Sequence, residues 1–149
     1  MVNFGLYWFS LELKHLTSCG WGNGYVLIPK KHPWYGIKYD NIPVHIHGGL
    51  TFGDFFDIHY VKEWLSNKDV AGDINLNNYK DFENYWMIGF DTAHLNDNKI
   101  NCSKDYVINE TKKLLEQCLN DSFKDIKKYK NVFLRKEKLQ KIYNINIKI

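Results

Sequence analysis

A chain of 149 residues and 17.7 kDa, 44% hydrophobic and 25% charged, is long enough to bury a core as one domain and too apolar to be disordered over most of its length. No run approaches the ~18 apolar residues of a membrane span, and no basic stretch precedes the apolar residues 2–9, so a cytoplasmic protein without a secretion signal is expected. A net charge of +3 is too mild to name a nucleic-acid partner, but residues 121–149 carry eight lysines and one arginine against three acids, +6 in all, and leave the remainder at −3.

In chain order, residues 2–16 are rich in aromatic and branched side chains and predict a strand or hairpin arm, ending at a turn where Gly20, Gly22 and Gly24 fall within five residues. Tyr25 to Ile28 predicts a short buried strand stopped by Pro29. In Pro43-Val44-His45-Ile46-His47 the alternation predicts a strand with both imidazoles on one face, broken by Gly48-Gly49. The mixed stretch 53–84 reads as looping, with a possible helix over 61–65. Tyr85 to Phe90 predicts a central strand with Asp91-Thr92-Ala93-His94 at its C-terminal end.

From Ser103, an N-cap residue type, the period changes to 3.6: Val107, Thr111, Leu114, Leu115 and Cys118 share one face. The isoleucines at 142, 145, 147 and 149 suit a terminal edge strand protected by lysine. Strands followed by one main helix, without regular βαβ alternation, predict an α+β fold: a mostly antiparallel sheet with one C-terminal helix packed on one face. Residues 1–120 would form this domain, with 121–149 as a basic extension packed on it.

Cys19, Cys102 and Cys118 are odd in number and widely spaced, which predicts reduced thiols rather than disulfides or a CxxC metal knuckle. His47, Asp91 and His94 are the candidates for chemistry. Histidine titrates near neutrality, so His47 would serve as general base, Asp91 would orient an imidazole, and His94 would protonate a leaving group. The same three residues form a 2-His-1-carboxylate set adequate for a metal. Glycine-rich turns let backbone amides approach anions, so Gly48, Gly49 and Thr51 would hold phosphate oxygens, with Trp21, Trp34, Tyr35 and Phe52 as stacking faces. No Walker lysine follows the glycines and no H-E-x-x-H occurs, so no cofactor is expected. Packing alone is the competing account of each residue: His45 as a surface histidine, Gly48-Gly49 as a tight turn, and Asp91 as a turn cap.

Four co-ordered segments carry a resemblance: Gly24-Tyr25-Val26 to His32-Pro33-Trp34-Tyr35-Gly36, His47-Gly48-Gly49-Leu50-Thr51, Gly89-Phe90-Asp91-Thr92-Ala93-His94 with Asp97, and the helix from Tyr106 to Gln117. Over residues 20–120 the chain resembles a small uncharacterised family of phage and bacterial proteins with GYV..P..HPWYG, HGGLT and GFD.AH motifs. Thr92 stands where the family usually has cysteine, and Asn96-Asp97 where it often has Gly-Asp. The resemblance implies a phage setting, the host cytoplasm, and counter-defence by sequestering a nucleotide signal or docking on an immune or CRISPR protein.

These readings converge on a pocket lined by His47, Gly48, Gly49, Thr51, Asp91 and His94 and flanked by Trp34 and Tyr35. It would bind a small phosphorylated or nucleotide-derived ligand. The alternatives are a His/Asp-dependent hydrolase or phosphodiesterase, with or without metal, and a protein-binding inhibitor acting through the basic tail.

Overall fold

A computed structural model describes residues 5–13, 18–66, 68–74 and 80–124. Five strands, β1 (Tyr7–Glu12), β2 (Gly22–Ile28), β3 (Phe52–Phe55), β4 (Val70–Gly72) and β5 (Trp86–Phe90), form one sheet in the order β3-β5-β2-β1-β4, and every neighbouring pair is antiparallel. The fold is α+β, with the main helix α2 (Lys104–Lys124) following the last of these strands.

Alternation along the strands sorts the core into two sides. Val26 and Ile28 of β2 and Trp86, Ile88 and Phe90 of β5 face α2, where Val107, Leu114 and Cys118 meet them. Tyr25, Leu27 and Met87 point the other way, with Phe9 and Leu11 of β1, and are covered by Phe56, Phe82 and Val61 of a second helix, α1 (Ile58–Leu65). A strand covered on both faces has no polar side to show, which is why β2 and β5 read as continuous apolar runs. Full burial of each such side chain contributes about 1.5–3 kcal/mol.

Helix α2 begins as its sequence predicts. The Ser103 hydroxyl accepts the Tyr106 amide at 3.3 Å, Asp105 lies in the positive first turn, and Val107, Thr111, Leu114 and Cys118 are fully buried. The helix lies close on the sheet because Gly24 has no side chain, where a Cβ would run into Thr111 and Phe90. There Thr111 bonds Ser10 at 2.8 Å and donates to the Val107 carbonyl at 2.7 Å.

Two expectations are corrected. The described part of residues 53–84 is not only loop: it holds β3, β4 and α1, which includes the expected helical residues 61–65. Asp57 caps α1 by accepting the His59 amide at 2.8 Å, and β4 pairs Ala71 with Ser10. Residues 43–47 are not a strand. Gln117 of α2 clamps the backbone of His45 from both sides, at 2.7 and 3.0 Å, and the Gly49 amide turns back to the Ile46 carbonyl at 3.0 Å. These bonds replace a ladder, so His45 is left exposed while His47 turns inward. The predicted boundary at residue 120 falls inside α2, and the predicted strand at 142–149 lies outside the described residues.

Candidate functional site

Three pieces of chain meet beside the N-terminal end of α2: the glycine turn after His47, the loop from Asp91 to Cys102, and the first turns of the helix. Backbone bonds fix the second piece. Gly20 donates to the Thr92 carbonyl at 2.7 Å, Trp21 to the Cys102 carbonyl at 2.8 Å, and the buried Thr92 hydroxyl to the Gly22 carbonyl at 2.7 Å. Asp97 closes a turn by accepting the His94 amide at 2.9 Å, while its own amide donates to the His94 carbonyl at 3.0 Å. Gly48 adopts a φ of +65°, and a Cβ there would strike the His94 ring. Glycine is therefore required twice, for the turn and for the approach of the two imidazoles.

Both nitrogens of His47 are engaged by side chains. Nδ1 lies 2.8 Å from the Tyr106 hydroxyl, and Nε2 lies 2.9 and 3.0 Å from the two Asp97 oxygens. Cys102 Sγ lies 3.8 Å from Nε2 and 3.6 Å from Asp97 Oδ1. Behind these, Tyr106 reaches Glu110 at 3.5 Å, and Glu110 pairs with Lys113 at 3.0 Å. The Asp97 side chain is only 7% exposed and Cys102 is 1% exposed, so this centre is shielded from water.

Burial pushes the Asp97 carboxyl up, but bonds from His47, the His94 amide and Cys102 outweigh it and hold the group below the usual carboxylate range. The Cys102 thiol moves the other way, raised first by burial and then by the Asp97 charge. Burial, and then Glu110, raise the Tyr106 hydroxyl. Cys102 is therefore a poor nucleophile as it stands, since the thiolate is the reactive form.

His94 forms the rim. Its ring centroid is 5.7 Å from that of His47, and its Nε2 is 3.3 Å from Asp91 Oδ1 but off the direction a hydrogen bond needs. That nitrogen is shielded from solvent with no hydrogen-bond partner, while the His94 and Asp91 side chains are each about one-third exposed. Nε2 thus faces Asp91 and Gly48 inside the site, and the exposure of the ring comes from its other atoms.

Of the predicted site residues, His47, Gly48, Asp91 and His94 come together. The Gly49 and Thr51 amides are committed to the Ile46 and Gly89 carbonyls, the latter at 2.9 Å, so they are not free to hold an anion. Trp34 is 2% exposed in the core and offers no face for stacking. Tyr35 donates to the Asn84 carbonyl at 2.6 Å and lies edge-on to Phe55 at the β3 edge. A cavity of about 600 Å³ opens on the α1 side of the sheet, lined by Phe52, Asp54, Phe55, Asp57 and Trp64 among others. Apart from Phe52, none of the predicted site residues lines it.

Sequence reasoning does not single out Cys102, Tyr106 or Glu110, and it brings in Asp97 only beside His94. Their signal is a spacing of four across the start of a helix, with Cys102 just before the Ser103 cap and Tyr106 and Glu110 on the first turns of α2. Comparison of the chain with protein-family models, curated proteins and solved structures finds no match.

Proposed function

We propose that the protein is a His/Asp-dependent hydrolase of a small phosphorylated or nucleotide-derived ester. The observation that carries this reading is the His94–Asp91 pair at the rim, with the shielded Nε2 3.3 Å from the carboxylate, the rest of the ring partly exposed, and a second imidazole 5.7 Å away. His94 takes a proton at Nδ1 from a water whose oxygen attacks phosphorus, while Asp91, beside the shielded Nε2, stabilises the imidazolium. The bond from phosphorus to the leaving oxygen breaks, and His94 returns the proton to that oxygen. His47, expected to be the base, instead has both nitrogens held within the protein, so its role is to organise the floor of the site.

The same geometry weighs against simple sequestration of a phosphate, because the Gly49 and Thr51 amides are used internally and Asp91 and Asp97 lie against the imidazoles, with Glu110 behind Tyr106. The test is to incubate the full chain, with zinc present, with cyclic and linear dinucleotides and with bis(p-nitrophenyl) phosphate, and to analyse the products chromatographically. Cleavage that falls ~10²- to 10⁴-fold in His94→Ala supports the reading. Recovery of a tightly held, intact dinucleotide, or the absence of cleavage, overturns it.

A further inference from the structure

We infer that His47 Nε2, Asp97 and Cys102 Sγ are three ligands of a divalent transition-metal site of the zinc class. The inference deepens the hydrolase reading and rests on it for what the ion would do, while binding of the ion is measurable without substrate.

Geometry comes first. The three donor atoms lie within 4.8 Å of one another, at 2.9, 3.6 and 3.8 Å pairwise. Zinc bonds of about 2.0–2.3 Å to N, O and S at tetrahedral angles put donors about 3.3–3.6 Å apart. The Cys102–Asp97 edge already matches, the Cys102–His47 edge needs to close by about 0.2 Å, and the His47–Asp97 edge needs to open by about 0.4 Å. Imidazole, carboxylate and thiolate together suit zinc rather than magnesium or calcium, which prefer oxygen ligands.

Support behind the ligands is the second observation. Nδ1 of His47 is held by the Tyr106 hydroxyl, backed by the buried Glu110, which is the outer arrangement that fixes the tautomer of a metal-bound imidazole and aims Nε2 inward. Without the ion, Nε2–H of His47 donates to Asp97 at 2.9 Å; a cation would take that proton's place, with His47 then carrying its proton on Nδ1 toward Tyr106.

Charge balance also fits. Ionised Asp97, Cys102 as thiolate and neutral His47 sum to −2, which a divalent ion cancels inside a shielded centre. Binding displaces the thiol proton to solvent as the sulfur–metal bond forms. Three protein ligands leave a fourth position for water, and a bound ion lowers the pKa of that water to about 7. The ion thus supplies the positive charge that a phosphate would otherwise lack beside Asp91 and Asp97.

The test is titration of the full chain with Co²⁺, followed by displacement with Zn²⁺, read by visible and near-ultraviolet absorption. One equivalent with a thiolate-to-cobalt band is expected, the band being lost in Cys102→Ser and retained in His45→Ala, whose side chain is exposed two residues away. No binding, or the same band in Cys102→Ser, overturns the inference. Should Cys102→Ser or Asp97→Asn fail to fold by circular dichroism, alkylation of Cys102 in the unmodified chain decides: zinc slows it if Sγ is a ligand, and an unchanged rate contradicts the assignment. Failure of the two proposals is separable. Metal bound without ester cleavage removes the hydrolase and keeps the site, whereas cleavage by a chain that binds no metal removes the site and keeps the hydrolase.

Discussion

His32 and His47 both lie against α2, and their surroundings differ in one respect. His32 spends its ring on backbone: Nε2 lies 2.9 Å from the Cys118 carbonyl, and Nδ1 accepts the Trp34 amide at 3.0 Å. His47 spends its ring on side chains, Tyr106 on one nitrogen and Asp97 on the other, with Cys102 beside it. The first arrangement fixes a loop in one tautomer and leaves nothing to titrate usefully. The second gathers three groups that could ionise or bind a cation. Burial alone does not separate a structural histidine from a chemical one; the identity of its partners does.

The largest effect that would break this contrast is expected at His47. His47→Ala should lower ester cleavage by ~10²-fold or more, while costing about 1–3 kcal/mol of stability for the hydrogen bonds removed. Parallel rate measurements and urea unfolding check both numbers. His32→Ala should do the reverse, with a loss of about 2–5 kcal/mol from the cavity and the lost partner of the Trp34 amide, and an unchanged rate per folded molecule. Equal losses of activity in the two variants would erase the distinction.

Smaller changes sharpen it. Tyr106→Phe should weaken zinc binding ~10- to 100-fold by freeing Nδ1, as measured by competition with a chelating dye. Acid should separate the two histidines as well. Burial, only partly offset by the bond to Cys118, holds the His32 pKa below its ordinary value, so the unfolded chain binds the extra proton first. Stability should therefore fall as pH drops below about 6.5, by at most about 1.4 kcal/mol per unit, until His32 protonates in the folded state as well. His32→Gln should remove that part of the slope. Asp97, whose folded pKa is depressed, stabilises above its unfolded value of about 3.9, and that contribution is lost at lower pH as the folded group protonates. The smallest effect is expected at His45, where His45→Ala should stay within about 0.5 kcal/mol, since Gln117 clamps the backbone and not the imidazole.

Strong local periodicity made part of this fold legible. The apolar run ending at Phe90 and the 3.6-residue pattern after Ser103 correspond to β5 and α2, and the antiparallel α+β class follows from them. Helix α1 was only half visible, although Asp57 as a cap and Ile58, Val61 and Trp64 at a spacing of three mark it. The H-x-H alternation misled because an apolar–polar alternation specifies a strand only where a neighbour supplies a ladder, and here Gln117 and the Gly48 turn take the backbone instead. The approach of His47 to His94 was readable from glycine-punctuated motifs. Cys102 and Tyr106 were hidden because each reads in sequence as an ordinary core residue, and only the fold brings 47 and 102 together.

The most direct measurement is nuclear magnetic resonance of the histidine ring nitrogens in the full chain during zinc addition. Nε2 of His47 is expected to move to a metal-bound shift while Nδ1 carries the proton toward Tyr106, and His32 and His45 are expected to stay where they were. An unchanged His47, with the shifts appearing at exposed His45 or His59 instead, would contradict that expectation.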